Sequence, residues 1–525
     1  MNDMDCKQIT MGGFTLKKNF KRAMVLLMVG SFTVTAACSS GSDPDSNSTS
    51  TAPGSAGGSK PTLKTLSSWM KDDYNTYPVS TMLEARTGYK VQYDMLPQEN
   101  VQEKLNLLIA SAEPYDVITI PGTSNYKALY SDYAKRGALV DLGPLIDKYG
   151  PNIKASISEE TLEAAKVNGK LYAIPVKTLN NVASSLMIRQ DWLDKLGMKM
   201  PTTTDELVAV LKAFKEKDPG GNGAQNIPLS ISGTAAIEVN LAGAFGLANS
   251  WNEVDGKLLP RALDPGYKDY LAFMNSLFKQ GLLDKEFAIN QAATVNEKFT
   301  SGRVGVIAVN WASVPTLADA LAKNHPNAKM VYMPTLKGPK GKFGLSEPTG
   351  FDRITFIPKA SKHPEDAIKW INAKLEKDTF RMLAIGEENK HYTFKDGAYT
   401  PILPIFNDER NNANNYMTGS DEKNYPLYWQ ARVRKDNRLF AAWEYLNVKE
   451  PANIRVKDPL GLSPYLAEYS KNNASLSTMA NDQTVKFISE GEPLTGLDAF
   501  IAKFKAAGGD ASVKEVNDWY TAKKK

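Results

Sequence analysis

Apolar and polar positions alternate in short windows along most of the chain, and the windows switch between a period of two and a period near 3.6. Thr62–Leu66 and Tyr89–Leu96 have strand composition. Asn100 and Glu103 then form a capping-box pattern ahead of Val101, Leu105, Leu108, Ile109 and Ala112, which share one helical face. Asp116–Ile120 (DVITI) is rich in β-branched residues and stops at Pro121 and Gly122. This strand–helix–strand order predicts a parallel sheet, whose ligands sit beyond the carboxyl ends of its strands. The loop Pro121–Asn125, with Thr123 at its centre, is therefore either a plain turn or part of a binding site.

A second region repeats the alternation. Leu171–Pro175, Ser185–Ile188, Val304–Val309, Met330–Met333 and Ile354–Ile357 read as strands. Thr203 and Glu206 cap a helix carrying Leu207, Val210, Leu211 and Phe214 on one side, and Pro364 opens another, with Ser361 or His363 as its cap. No repeat of fixed period is present. Alternation sustained over this length predicts two α/β lobes rather than a solenoid or a β-sandwich.

The first sixty residues follow a different pattern. Lys17, Lys18, Lys21 and Arg22 precede an apolar run of 12 residues, Ala23–Val34. That is too short for a bilayer-spanning helix, which needs about 20 residues, and it fits a secretion signal. Thr35, Ala36 and Ala37 before Cys38 resemble the lipobox of bacterial lipoproteins, with Thr35 where leucine is usual; the resemblance implies cleavage after residue 37 and a diacylglycerol on Cys38. Cys6, the other cysteine, lies in the leader, which leaves Cys38 no disulfide partner and makes acylation the reading that removes a lone thiol. Two acyl chains hold a protein stably at a membrane where one does not. Residues 38–60 form a Ser/Gly-rich tether with almost nothing apolar to bury, spanning about 25 Å root-mean-square.

Charge adds little. The formal net charge of +5 falls to about +2 without the five basic and two acidic residues of 1–37, which excludes the concentrated positive face of a nucleic-acid binder. His325, His363 and His391 are scattered without metal-ligand spacing, so surface or capping roles are expected of them. Neither a nucleophile elbow nor a phosphate-binding loop occurs, which leaves an enzyme only the unrecognised carboxylate pair of a secreted glycosidase.

Phrases along the remaining chain, among them VQEKLNLLIASAEPYDVITI, VNGKLYAIP, IRQDWLDKLGMKMPTTTDELVAVLKAFKEKDPGGNG, GLLDKEF, FTSGRVGVIAVNW and IPKASKHPEDAIKWIN, resemble family 1 extracellular solute-binding proteins, the receptors of carbohydrate ABC importers. The resemblance implies an α/β, two-lobed periplasmic-binding-protein-like fold of type II, with crossover segments and a ligand cleft between lobes. It places lobe 1 at 61–180 and 351–425, and lobe 2 at 181–350 and 426–525. The implied function is a monomeric, membrane-anchored, extracytoplasmic receptor that closes on an oligosaccharide and passes it unchanged to a permease; a peptide receptor on the same scaffold is the alternative.

Sugars offer flat C–H faces and rings of hydroxyls, and so call for aromatic platforms and planar polar side chains. Trp311, preceded by Asn310, matches the family segment that bears a stacking tryptophan, with a core role as the alternative. Lys177–Asn181 falls at the first lobe crossing and Asp352–Arg353 at the second, as ligand contacts or as linker and hinge residues. Tyr425, Tyr428, Trp429 and Arg432 share one helical face near Pro426, and Trp69 follows the first strand; each is a site residue or a core one. Asp218, Gly220, Asn222 and Gly223 resemble the calcium loop of some family members, but Gly220 replaces an oxygen ligand, Asn226 the usual Asp and Ile227 an acidic residue, which leaves Asp218, Asn222, Asn226 and backbone carbonyls as donors; a metal-free glycine turn is the competing reading.

Overall fold

Two runs of β-branched residues, Val117–Pro121 and Val304–Asn310, lie inside two separate sheets, each covered by helices. The computed structural model describes residues 60–179, 181–489 and 494–524; Cys38 and the segments 1–37 and 38–59 lie outside the described residues.

The first sheet runs in the order Val91–Met95, Leu63–Ser67, Val117–Pro121, Phe351–Phe356, Ala173–Lys177. Its first three strands are parallel, and Phe351–Phe356 is antiparallel to both its neighbours. The second sheet runs Met330–Tyr332, Ser184–Arg189, Val304–Asn310, Ile227–Leu229. The strands expected from the sequence therefore form, and the short Ile227–Leu229 joins them.

Each sheet has its own core. Residues from Leu63 to Val176 and from Phe351 to Ala431 pack together on the first, and residues from Leu186 to Leu336 together with Leu476–Phe504 on the second. Separate cores define two lobes. The chain passes between them at 178–183, at 348–350 and again after the helix Tyr425–Val433. Tyr425, Tyr428 and Ala431 belong to the first core, so that helix sits with lobe 1 rather than opening lobe 2 at 426. The second passage is tight: Gly350 has φ 108°, and a Cβ there would lie 2.7 Å from the Gly461 carbonyl oxygen.

Local signals work where they are self-contained. Thr203 and Glu206 make the expected reciprocal capping box on Thr204–Lys217, and Pro364 opens the helix Pro364–Lys374. Asn100 instead adopts φ 55° and makes no side-chain cap. Neither Ser361 nor His363 caps Pro364–Lys374; Ser361 Oγ and the His363 amide both donate to Asp116, which ties the helix to the first sheet.

Candidate functional site

Because Leu63–Ser67, Val117–Pro121 and Ala173–Lys177 run in the same direction, their carboxyl ends lie along one edge of the first sheet. Phe351–Phe356, running the other way, starts at that edge. The topology thus gathers Trp69, Thr123, Lys177, Asp352 and Arg353. In the second lobe, Ser184–Arg189 leaves the first crossing and Val304–Asn310 returns antiparallel to it, bringing Asn310 and Trp311 back to the same place. The Trp311 amide donates to the Ala183 carbonyl at 3.0 Å.

An aromatic row spans the junction. Trp311 stands edge-on to Trp429, and Trp429 lies 6.0 Å from Trp443 with a tilt of 56°. Trp429 packs on the first core and Trp311 on the core of the second lobe, so the pair joins the lobes. Trp311 is half-buried, its ring partly covered by Trp429, and its indole N–H has no hydrogen-bond partner among the described residues. Asn310 turns its carbonyl oxygen onto the Ala312 amide at 2.9 Å, capping the short turn Trp311–Ser313.

Beside this row lies a cavity of about 360 Å³, within the range of small-molecule sites. Lobe 1 and the first crossing contribute Lys177, Asn181, Glu422 and Tyr425, and lobe 2 contributes Trp443 and Asn447. Lys177 Nζ pairs with Glu422 Oε2 at 3.3 Å. The other carboxylate oxygen, Oε1, is buried and has no hydrogen-bond partner among the described residues. The same holds for the indole N–H of Trp443, a side chain only 6 % exposed. Asn447 accepts from the Val182 amide at 2.8 Å and donates to the Val182 carbonyl at 3.1 Å, clamping the crossing to lobe 2. It sits in a π-helical stretch, Tyr445–Lys449, a distortion frequent at functional sites.

Lys177 also borders a second cavity, of about 400 Å³, walled by Glu160 of lobe 1 and by Asn249, Asp458, Tyr520 and Lys523 of lobe 2. Lys523 pairs with Glu160 at 3.2 Å from one lobe to the other. Burial pushes the Asp458 carboxyl up, against a pull from Arg261.

Not every residue singled out in the sequence reaches these cavities. Tyr428, 4 % exposed, is a core residue set edge-on to Tyr399 at 5.3 Å. Arg432 donates to the carbonyls of Arg410 and Asn411, and Arg353 to Asn414 and Asn415, so both brace lobe 1's own loop. Asp352 is exposed and lies 3.5 Å from Arg353, the pairing of neighbours expected of a hinge. Trp69, 48 % exposed, and Thr123, also exposed, stand free on the sheet edge. His391 is buried rather than superficial, held between the Glu387 amide and Glu409. Burial lowers its pKa, against a hydrogen bond to Glu409 that raises it. Glu422, Trp443 and Asn447 are among the lining residues the sequence reading missed, and no local pattern distinguishes them.

The calcium-like loop engages its one carboxylate within the loop itself. Both oxygens of Asp218 accept loop amides, from Asn222 at 2.9 Å and Gly223 at 2.7 Å. Asn222 donates to the Gly302 carbonyl and Asn226 to that of Phe214. A Cβ at Gly220 would lie 2.5 Å from Trp192, so no oxygen-bearing side chain has room there. These bonds engage only the amide N–H groups of the two asparagines, and the side-chain oxygen of Asn226 is buried with no partner among the described residues; the loop still supplies a single carboxylate where calcium is held by several oxygens. Among the described residues no cluster of three or more His, Cys, Asp or Glu side chains is arranged to hold a metal.

Two α/β lobes, three crossings and a cavity walled by both lobes define a hinged receptor. The chain belongs to the bacterial extracellular solute-binding proteins, whose family model matches residues 64–378. It is 28 % identical to lipoprotein LipO of Bacillus subtilis over 499 residues, 90 % of this chain and 94 % of that one. It is 25 % identical to the polygalacturonan/rhamnogalacturonan-binding protein YtcQ of the same organism over 486 residues, 89 % and 93 % of the two chains. The fructooligosaccharide ABC transporter substrate-binding protein FusA of Streptococcus pneumoniae is 32 % identical over 324 residues, 58 % of each chain. A solved structure of a FusA EF-hand mutant with fructo-nystose shares the fold, with a TM-score of 0.67 and 23 % identity over 88 % of this chain and 99 % of that one. YtcQ and FusA are, by their names, binding proteins. Among the described residues no helix is long and apolar enough to cross a membrane.

Proposed function

We propose that this protein captures an oligosaccharide between its lobes and delivers it, chemically unchanged, to an ABC permease, held at the membrane by a lipid on Cys38. The observation that carries the reading is the cavity at Lys177, whose walls come from both lobes: a guest touching Glu422 on one side and Trp443 on the other favours whichever lobe arrangement brings both to it. Ligand then shifts the hinge by its differential affinity for the two arrangements. Trp69 on the open sheet edge offers a further stacking face, and the second cavity beyond Lys177 gives a longer chain somewhere to extend. FusA and YtcQ, by their names, bind oligosaccharide or polysaccharide chains, which supports the same class here.

A melting screen of residues 60–525 against an oligosaccharide panel tests this. A ligand at one hundred times its Kd should stabilise the fold by about 2.7 kcal/mol, and no new reducing ends should appear. A response to peptides with none to sugars would refute the substrate class, and release of reducing ends would refute transport without chemistry.

A further inference from the structure

Two residues that line the cavity at Lys177 each carry a polar atom that the protein leaves unused. The donor is the indole N–H of Trp443 and the acceptor is Oε1 of Glu422; both atoms are buried, and neither has a partner among the described residues. A buried polar atom without a partner carries a desolvation cost that a bound ligand can relieve. A hydroxyl suits either atom, since it accepts a hydrogen bond through oxygen and donates one through its proton.

Charge narrows the choice. Lys177 and Glu422 are the charged residues of this lining, and they are paired with each other. Among the described residues no other cation of this lining is left to meet an anionic ligand. A carboxylate can only accept; it would satisfy Trp443 while bringing a second negative charge against Glu422. In the neighbouring cavity Lys523 likewise pairs with Glu160, while Lys457 stands exposed in its lining.

Resting on the oligosaccharide reading above, we infer that Trp443 and Glu422 read a hydroxyl of a neutral sugar, and that the cavity discriminates against uronic-acid chains of the kind YtcQ is named for. Glu422 and Trp443 are specificity determinants, the first by charge and the second by its N–H.

The test is a binding comparison on residues 60–525, by calorimetry and melting shift. Neutral fructo-, malto-, manno- and xylo-oligosaccharides are set against oligogalacturonate of the same length. At least one neutral chain should bind the unaltered protein about tenfold or more tightly than oligogalacturonate does. Glu422→Gln and Trp443→Phe should each weaken that neutral ligand about tenfold, and Glu422→Gln should narrow the gap to oligogalacturonate. If Trp443→Phe lowers the ligand-free melting temperature sharply, Glu422→Gln alone decides, because that side chain is 13 % exposed at the cavity rim. Oligogalacturonate binding as tightly as any neutral chain, or Glu422→Gln binding the neutral chain unchanged, overturns the inference and leaves the oligosaccharide reading standing. Peptides binding where no glycan does would remove both.

Discussion

The indole of Trp311 meets that of Trp429 edge-on, with ring centres 5.4 Å apart and planes at 84°. One ring follows the strand Val304–Asn310 of lobe 2 and the other lies on a helix of lobe 1, so this aromatic contact is one of those that couple the two lobes. Edge-to-face is a favoured geometry for aromatic pairs, placing the positive edge of one ring on the negative face of the other.

That coupling is measurable. Trp311→Ala and Trp429→Ala should each destabilise the protein by about 2–3 kcal/mol, toward the lower end for large aromatics because both rings are half-buried. A double-mutant cycle in denaturant should return an interaction of about 1 kcal/mol. Additive losses would mean that the rings share a neighbourhood without supporting each other.

A second expectation concerns the ion pair beneath lobe 2. Lys298 Nζ lies 2.9 Å from Asp284 and 2.7 Å from Glu286, and Asp284 also accepts from Ser230 and Asn290. Burial alone would push the Asp284 carboxyl up, but hydrogen bonds from Lys298, Ser230, the Glu286 amide and Asn290 together hold it below its ordinary value. Lys298→Met leaves that charge buried and uncompensated and should cost about 3–5 kcal/mol. Because the folded pKa is depressed, the stability from Asp284 is fully present above the unfolded value near 4 and is lost as pH falls through the lower folded value. Stability curves for Asp284→Asn and the unaltered protein should therefore converge only in strong acid.

Lys374 should show the opposite dependence. It is fully buried over the Trp370 ring, donates to the Tyr416 carbonyl at 2.5 Å and has no carboxylate partner among the described residues, so burial holds its pKa well below the usual lysine range. Between the folded and unfolded values the unfolded chain binds the extra proton, so stability rises with pH over that window. Lys374→Met should gain most relative to the unaltered protein on the acid side, and the gain should shrink as pH approaches about 10. A difference that does not vary with pH would show that the amine is charged in both states.

For the loop at Asp218, neither calcium nor a chelator should move the melting temperature. Asp218→Ala, which removes the acceptor for two loop amides, should cost about 1–2 kcal/mol whether or not calcium is present. A calcium-dependent shift abolished by Asp218→Ala would overturn this account of the loop.

Much of the scaffold was legible from local pattern. Val117–Pro121 and Val304–Asn310 are β-branched runs that form buried strands in either context, and Thr203–Glu206 caps its helix through atoms three residues apart. Asn100 misled because a cap depends on backbone geometry, and this residue took a left-handed turn instead. Tyr428 misled because one helical face holds both core and cavity residues: the spacing shows that Tyr425, Tyr428, Trp429 and Arg432 are neighbours, not which of them meets solvent.

Sequence by itself determined the alternation of strands and helices, the two α/β lobes and the family, since each of these is written in short-range periodicity and in the order of its phrases. Tertiary structure alone decided what faces Lys177. Glu422 lies 245 positions further along the chain and reaches it only because the first crossing and the helix Tyr425–Val433 pack side by side; Trp443 arrives from the other lobe. Contacts closed across such separations depend on how whole cores dock, and no window of neighbouring residues carries that information.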